Sequence, residues 1–565
     1  MTPNLLRVAD FPNFNGISVT SREAFNEQAT GIVPSPSPDR SNPCCLPPEL
    51  LAAIFLEYMQ RCEELSIYAT SWVPPWVNVS YVCRYWRSVA LNCANLWRHL
   101  FFVSSEWMDE LLGRSKTAPL IIRIDFCCPE SDPWPIRSLE KALDHMERIQ
   151  DLWINCCRSK DVLNVIGASL TAAAPLLRSL HLSTYKDREN HFIIRKNTLP
   201  GAGLRRLHLE LCHVDWSFPI FNGLRELTLS SVVNDGMECW DGLLLLLSQL
   251  PLLRRLCLNN ILLLANIDFE DSFINAQNRT KVSLCQLEKL TLIDPIPWVT
   301  ALLARLEFPS STIVQVKSYC DNPEDISMFV PFMESRFSHR LPLPQSTPSP
   351  QSTLRSLSFL HSDLWEGTWK FMYGTSNPAN ASGTNKISLE ERDLNSQFPL
   401  QIILTRMARP VSFGVIIPLL RALPITHLNA ITLYSSKIEG SSDDQNPWTE
   451  VFRDAPGLRI VKVGYGCANM FIHALRPRDG VIFASTLTVI RFKGIQFSQR
   501  KCSGEESHDY GTACFQCLYN ALASRVEAGI VLQRLFLENC SGILESNVTE
   551  LSRIVNRVEW DPAEG

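Results

Sequence analysis

The sequence predicts an α/β fold in which a small three-helix module precedes an irregular solenoid of short strands and helices. Two observations support this prediction. Between Leu46 and Leu100, apolar residues recur at helical spacing in three short segments. After that stretch, the hexad L-x-x-L-x-L returns at intervals of about 20 to 30 residues, which indicates a repeat architecture. With 565 residues, 45% of them hydrophobic and 20% charged, the chain is long enough for several folded domains or one extended array.

The first predicted helix begins at two consecutive prolines, Pro47 and Pro48. Glu49 follows in the first turn, where the helix dipole favours a negative charge. Leu50, Leu51, Ile54 and Phe55 then fall along one side of a helix with 3.6 residues per turn. This side is the predicted apolar face.

The second predicted helix has the same design, because Val79, Val82, Trp86 and Val89 recur at steps of three and four residues. Asn95 is a suitable N-cap for a third short turn. Three such helices cannot cover all their apolar surface among themselves. The excess surface is available either to the rest of this chain or to a partner protein.

These segments resemble the F-box motif in the form typical of large fungal F-box families. The resemblance rests on LPPEL at 46–50, IF at 54–55, VCRYWRSVA at 82–90 and LW at 96–97, within a predicted domain at 42–103. It departs from the family in the segment 57–77, which is longer than a compact F-box needs. The resemblance implies docking on the Skp-type adaptor of a cullin-based (SCF-type) E3 ubiquitin ligase. It assigns the adaptor-facing positions to Leu46, Pro47, Leu50, Ile54, Val82, Cys83 and Trp86.

The hexads indicate leucine-rich repeats. Early copies start at 149, 177, 204, 224, 253 and 287, which gives steps of 28, 27, 20, 29 and 34 residues, and later copies start at 354, 427, 458, 487 and 532. The leucines at positions 4 and 6 alternate inward along a short strand, and helix-like segments such as 161–174 and 237–250 lie between strands. We expect one half of the array at 104–340 and the other at 354–565, separated by a Pro/Ser-rich loop at 341–353. The repeats resemble the degenerate leucine-rich repeats that often follow F-boxes.

Outward positions of the hexads are the predicted contacts to a protein substrate. They are Arg205, Arg206, His208, Arg225, Arg254 and Arg255, with Glu226, Glu288 and Lys289 beside them. His181 and His208 occupy position 5, and both are expected to be solvated. A further loop is predicted near residues 373–386, which are rich in Gly, Ser and Asn.

One group of cysteine and histidine residues could instead indicate a metal site. Cys502, His508, Cys514 and Cys517 have a spacing that could hold zinc. The alternative is that CFQC opens a helix in which both cysteines pack as apolar residues, and we favour this alternative. The sequence contains no catalytic motif and no credible acid–base pair, so we expect neither enzyme activity nor a cofactor or metal.

Composition limits the partners and the compartment. The net charge of −5 gives no reason to expect nucleic acid as the main partner, and no apolar run is long enough for a membrane span. Residues 1–41 are polar, include PSPSP, lack the features of a signal peptide, and are expected to be disordered. The 19 cysteines fit a reduced cytoplasmic or nuclear protein.

The predicted function is therefore a substrate-recognition adaptor of a ubiquitin ligase, with an unidentified protein substrate. The alternative is a stand-alone leucine-rich-repeat scaffold whose helical module is only an N-terminal cap. A hydrolase or metalloenzyme is a third possibility, but it would need a site for which the sequence offers no set of residues.

Overall fold

The computed structural model describes most of the chain in segments. These are residues 46–65, 75–100, 105–125, 136–157, 160–184, 192–232, 239–261, 281–309, 311–319, 327–338, 355–362, 368–375, 400–405, 422, 428–435, 457–465, 467–477, 482–499 and 512–562. The chain divides into two compact units, one formed by 1–69 and 74–92 and the other by 70–73 and 93–565. The predicted disordered segment 1–41 and the loop 341–353 lie outside the described residues.

The first unit is helical. Its described elements are helix α1 (Pro48–Leu65), a 3-10 helix (Pro75–Tyr81) and helix α2 (Arg84–Asn92). Helix α1 starts at the second proline, and its first backbone bond runs from the Leu51 N–H to the Pro47 carbonyl at 3.1 Å. Helix α1 extends to Leu65, so residues 57–65 of the long segment 57–77 continue this helix.

The second predicted helix differs from the observed structure. Its pattern predicts one continuous helix from Val79 to Val89, but the chain forms a 3-10 turn, leaves the helix at Val82 and Cys83, and re-enters at Arg84. The Asn95 cap is also wrong. Cys93 is the N-cap of a 3-10 helix (Ala94–Trp97), which belongs to the second unit and has no side-chain cap.

The second unit alternates strands with helices. Its described helices are α3 (Ser105–Ser115), α4 (Ile136–Leu143), α5 (Lys160–Ser169), α6 (Cys239–Ser248), α7 (Ile296–Arg305), α8 (Val330–Ser338), α9 (Cys467–Leu475), α10 (Phe515–Glu527) and α11 (Glu545–Leu551). Short 3-10 helices lie at Met146–Arg148 and Pro219–Phe221.

Its principal strands, numbered along the chain, are β1 (His99–Leu100), β2 (Leu120–Asp125), β3 (Ile149–Cys157), β4 (Ser179–Thr184), β5 (Phe192–Ile193), β6 (Arg206–Glu210), β7 (Cys212–His213), β8 (Glu226–Ser230), β9 (Arg255–Asn259), β10 (Val282–Ser283), β11 (Lys289–Ile293), β12 (Leu306–Glu307), β13 (Ile313–Tyr319), β14 (Arg355–Ser362), β15 (Thr368–Thr375), β16 (Leu400–Thr405), β17 (Leu428–Ser435), β18 (Ile460–Tyr465), β19 (Val489–Lys493), β20 (Gln496–Ser498), β21 (Thr512–Cys514), β22 (Leu532–Cys540) and β23 (Val555–Pro562). Strands β4, β6, β8, β9, β11, β18 and β19 each start at position 3 of a hexad.

The described strands include a 17-stranded sheet that is parallel over most of its length. Neighbouring strands follow chain order through β1, β2, β3, β4, β6, β8, β9, β11 and β13, and again from β17 through β18, β19 and β22 to β23. The remaining small strands form three separate pairs.

The leucines of successive hexads stand in register and form the core. Leu180, Leu207, Leu227, Leu256 and Leu290 are aligned on neighbouring strands, and all are buried. A second row, two residues further along each strand, comprises Leu182, Leu209, Leu229, Leu258 and Leu292. Each buried leucine contributes roughly 1.5–3 kcal/mol of transfer free energy. No single strand could bury both of its leucines, so this stabilisation depends on stacking.

Three strands end in the same left-handed turn. Leu211, Ser231 and Asn260 follow strands β6, β8 and β9 with φ values of 53°, 48° and 51°. Their N–H groups donate to carbonyls at the end of the next strand, at 2.8–3.0 Å. The repeated turn directs the chain out of the sheet at equivalent positions.

The middle of the sheet departs from the parallel chain order of its two ends. Strand β13 pairs in parallel with β16, and β14 pairs in parallel with β17. Strand β15 lies between β14 and β16 and pairs antiparallel with both. The prediction of a loop starting at Tyr373 is wrong for its first residues, because strand β15 extends to Thr375. Residues 376–386 lie outside the described part.

Candidate docking surface on the helical module

Helix α1 has two parallel apolar rows with opposite exposure. Leu51, Phe55 and Met59, spaced four residues apart, are buried. Leu50, Ile54 and Tyr58, also spaced four apart, are 55%, 48% and 41% exposed. Because i and i+4 lie on the same side of a helix, each row is continuous. We call Leu50, Ile54 and Tyr58 the exposed row.

The start of helix α2 adds to this exposed apolar surface. Tyr81, the last residue of the 3-10 helix, is 52% exposed, and Val82, in the short break before helix α2, is 60% exposed. The break turns Val82 to the outside, whereas Val79 before it and Val89 after it are buried. Five large apolar side chains of the small helical unit are thus accessible to solvent.

Contacts between helices α1 and α2 fix this unit internally. The rings of Phe55 and Trp86 lie 5.2 Å apart at 56°, and the Tyr85 hydroxyl donates to the Leu46 carbonyl at 2.6 Å. The Trp86 N–H donates to Cys83 Sγ at 3.4 Å, which caps the first turn of helix α2. The indole N–H of Trp86 is buried without a hydrogen-bond partner among the described residues.

The predicted adaptor-facing residues therefore fall into two groups. Pro47, Leu50, Ile54 and Val82 are exposed. Leu46, Cys83 and Trp86 are half-buried, and their contacts hold the helices together. Sequence reasoning missed Tyr58 and Tyr81, although Tyr58 follows Ile54 by the same four-residue step.

Tyr58 also has a polar contact at the edge of the exposed row. A hydrogen bond with the Cys62 side chain is the main cause that raises the pKa of Tyr58, and burial adds to it. Next to Tyr58, Glu57 and Arg61 form an exposed ion pair at 3.1 Å.

An exposed apolar surface on a small, internally fixed helical unit is typical of a protein-interaction module. Residues 43–103 match the protein family described as F-box-like. The chain thus has an F-box-like domain at its front, as the motif predicts, and no curated protein matches the chain. This domain suggests that the protein is a protein-interaction adaptor.

The predicted substrate contacts lie on or beside the outer face of the sheet, where side chains alternate with the buried leucines. Arg205, Arg206, Arg225, Arg254 and Arg255 are exposed. Arg206 pairs with Asp151 at 3.4 Å, Arg254 with Glu288 at 3.2 Å, and Arg255 with Glu226 at 3.6 Å.

The prediction that His181 and His208 are solvated is wrong. His181 stacks on Trp153 with 4.9 Å between ring centroids, and the two histidine rings lie 3.9 Å apart. Burial lowers the pKa of His208, with Glu210 opposing the effect. Adjacent parallel strands place position 5 side chains next to each other, so the rings cover one another.

The cysteines of the zinc alternative are described only in part. Cys514 and Cys517 are buried, and the Cys517 N–H donates to Cys514 Sγ at 3.3 Å at the start of helix α10. Cys502 and His508 lie outside the described residues. Within the described segments, no group of three or more His, Cys, Asp or Glu side chains could hold a metal ion. Of the helices that the structure describes, none is both long and apolar enough to cross a bilayer.

Proposed function

We propose that this protein is a non-catalytic substrate-recognition adaptor of an SCF-type ubiquitin ligase. In this proposal the F-box-like domain, whose sequence resembles the fungal type, docks on a Skp-type adaptor. The sheet unit holds a protein substrate for ubiquitin transfer by other subunits, in the cytoplasm or nucleus. The supporting observation is the exposed row on helix α1, which leaves large apolar side chains uncovered within a domain of the F-box-like family.

The exposed apolar surface supplies part of the free energy that such docking needs. Its five apolar side chains are between 41% and 60% exposed. Complete burial of a large apolar side chain is worth roughly 1.5–3 kcal/mol, so about half of that value remains available at each position. The five together offer about 4–7 kcal/mol before the cost of association is subtracted. Polar contacts around this surface would have to supply the remainder.

The proposal includes a leucine-rich-repeat solenoid for the second unit. It is supported by the buried leucine rows, the parallel register and the left-handed turn that returns after strands β6, β8 and β9. Such an array offers a long polar face to a protein substrate. The protein would therefore act by holding a substrate close to the ligase, which raises its effective concentration.

Binding of the purified full chain to a purified Skp-type adaptor tests the proposal by calorimetry. The informative variants are Leu50→Asp and Ile54→Asp, which place a charge on the exposed row. Leu245→Asp is the matched control, because Leu245 is 61% exposed on helix α6 in the other unit. We expect binding by the wild type and the control, and loss of binding by both row variants.

Absence of binding by the wild type would contradict the proposal and favour the stand-alone scaffold. Equal affinity in all four proteins would also contradict it. Trp86→Ala is less suitable as a test, because the ring contacts Phe55 and its loss would disturb folding as well as docking.

A further inference from the structure

Four arginines form a column along one end of the strands in the first half of the sheet. Arg178, Arg205, Arg225 and Arg254 occupy position 2 of consecutive hexads. The N–H of Arg205 donates to the Arg178 carbonyl, that of Arg225 to Arg205 and that of Arg254 to Arg225, at 2.7–2.8 Å. Backbone ladders of this kind separate equivalent residues by about 4.8 Å. Arg205, Arg225 and Arg254 are exposed, whereas Arg178 is half-buried and its guanidinium donates to the Gly203 carbonyl at 3.0 Å.

The adjacent position adds further positive charge. Arg206, Glu226, Arg255 and Lys289 stand in register on strands β6, β8, β9 and β11. Together with the column they contribute seven basic side chains, which we call the arginine face. Three acidic side chains accompany them, namely Asp151, Glu226 and Glu288. The arginine face thus has a net charge of +4 (7 − 3) in a chain whose net charge is −5.

The acidic side chains do not neutralise the face. Arg206, Arg254 and Arg255 remain 54%, 49% and 61% exposed in their ion pairs. Exposed pairs of this kind contribute little and exchange readily with other partners. Arg205 and Arg225 form no ion pair with any described residue, and their side chains are exposed.

We propose that the arginine face binds an acidic segment of the protein substrate, in extended conformation across the strands. This inference rests on the proposed function, because it names the chemistry of the substrate. Guanidinium groups form paired hydrogen bonds with carboxylates, and their long side chains can follow the spacing of about 6.8 Å between same-side residues of an extended peptide. The occupant that complements this charge is a run of Asp and Glu.

The same surface is less suited to nucleic acid. A continuous phosphate backbone would pass the carboxylates of Glu226 and Glu288, whereas a peptide can place neutral residues opposite them. The neighbouring aromatic side chains do not offer a slot for bases. His181 is covered on its two sides by Trp153 and His208.

Fluorescence anisotropy with a labelled peptide of alternating Glu and Ser tests the proposal on the full chain. The matched probes are the same peptide with Gln for Glu and a labelled single-stranded oligonucleotide of equal charge. The variant is Arg205→Glu with Arg225→Glu, and Arg205→Gln with Arg225→Gln provides a milder change. The control is Arg137→Glu with Arg553→Glu, which reverses two exposed arginines away from this face.

We expect the Glu peptide to bind the wild type and the control equally, and the Glu/Glu variant to bind about tenfold more weakly, with the Gln/Gln variant between them. Salt should weaken binding to the wild type. Equal binding of the Gln peptide, tighter binding of the oligonucleotide, no binding of the Glu peptide, or equal loss in the control would overturn the proposal. The Skp-type adaptor is titrated in parallel. Retained adaptor binding without peptide binding overturns only the arginine face, whereas the reverse result overturns only the ligase role.

Discussion

Replacement of Leu50 and Ile54 by alanine should weaken docking on the adaptor without unfolding the helical unit. The two side chains are 55% and 48% exposed, so about half of their burial energy remains for a partner. Full burial is worth roughly 1.5–3 kcal/mol each, which leaves about 2 kcal/mol for the pair. An energy of this size corresponds to about thirtyfold weaker binding.

The adjacent buried row provides a matched control with the same chemistry. Leu51 and Phe55 are buried, and Phe55 also contacts the Trp86 ring. Truncating either of them to alanine should destabilise the helical unit by about 2–5 kcal/mol, because a cavity replaces packed atoms. The exposed and buried pairs are shifted by one residue along the same helix, so helix propensity affects both equally.

Two measurements separate docking from folding in these variants. Calorimetric titration with the Skp-type adaptor gives the dissociation constant, and peptide-level hydrogen exchange of helix α1 gives the local stability. We expect Leu50→Ala/Ile54→Ala to lower affinity with unchanged exchange, and Leu51→Ala/Phe55→Ala to accelerate exchange. If the exposed pair accelerates exchange as strongly as the buried pair, the exposed row is structural and the reasoning is refuted.

Three further predictions concern the sheet unit. Burial lowers the pKa of His208 below its ordinary 6.5, so the unfolded chain binds the proton first as the pH falls. Folding stability is therefore lost below about pH 6.5. The melting temperature should fall less between pH 7 and 5 in His208→Gln than in the wild type. Gly542→Ala should lower the free energy of unfolding in urea by several kcal/mol, because φ is +74° and a Cβ would collide with the Phe497 carbonyl. The control Gly529→Ala, at φ +81° with open space around it, should cost only about 1 kcal/mol. Equal costs in the two variants would contradict the collision. Arg525→Ala should cost about 2–4 kcal/mol, because the buried guanidinium donates to two backbone carbonyls at 2.6 and 2.8 Å, and a change below 0.5 kcal/mol in the same assay would exclude this role.

In the helical unit, the spacing of apolar residues predicts which residues are neighbours but not which of them are buried. The pattern places Leu50, Leu51, Ile54 and Phe55 on one broad side of helix α1, and the structure agrees that they are neighbours. It divides them into two rows, because consecutive residues are about 100° apart. The buried row contains Phe55, whose ring lies against Trp86. Which row is covered depends on the placement of helix α2, which the sequence pattern does not contain.

The strands that contain the hexads were predictable where the pattern was local. Strand β9 starts at Arg255, at position 3 of its hexad, and equivalent starts recur in other copies. Strand β15 had a local signal as well, since Trp369, Phe371 and Tyr373 alternate, but the Gly- and Ser-rich segment after them suggested a loop. Its antiparallel pairing between β14 and β16 depends on contacts distant in sequence, which alternation cannot specify.

Sequence reasoning named most basic residues of the arginine face as substrate contacts, but it did not predict that four of its arginines form one column. Exposed charge is the default on the solvent side of a strand, so each arginine separately carries no information. The hexads that contain Arg178, Arg205, Arg225 and Arg254 are separated by unequal steps of 27, 20 and 29 residues, which conceal any alignment. In the folded sheet the loops absorb these differences, and backbone bonds place the four residues one strand apart. The register of the strands therefore concentrates in one column the positive charge that is dispersed in the sequence.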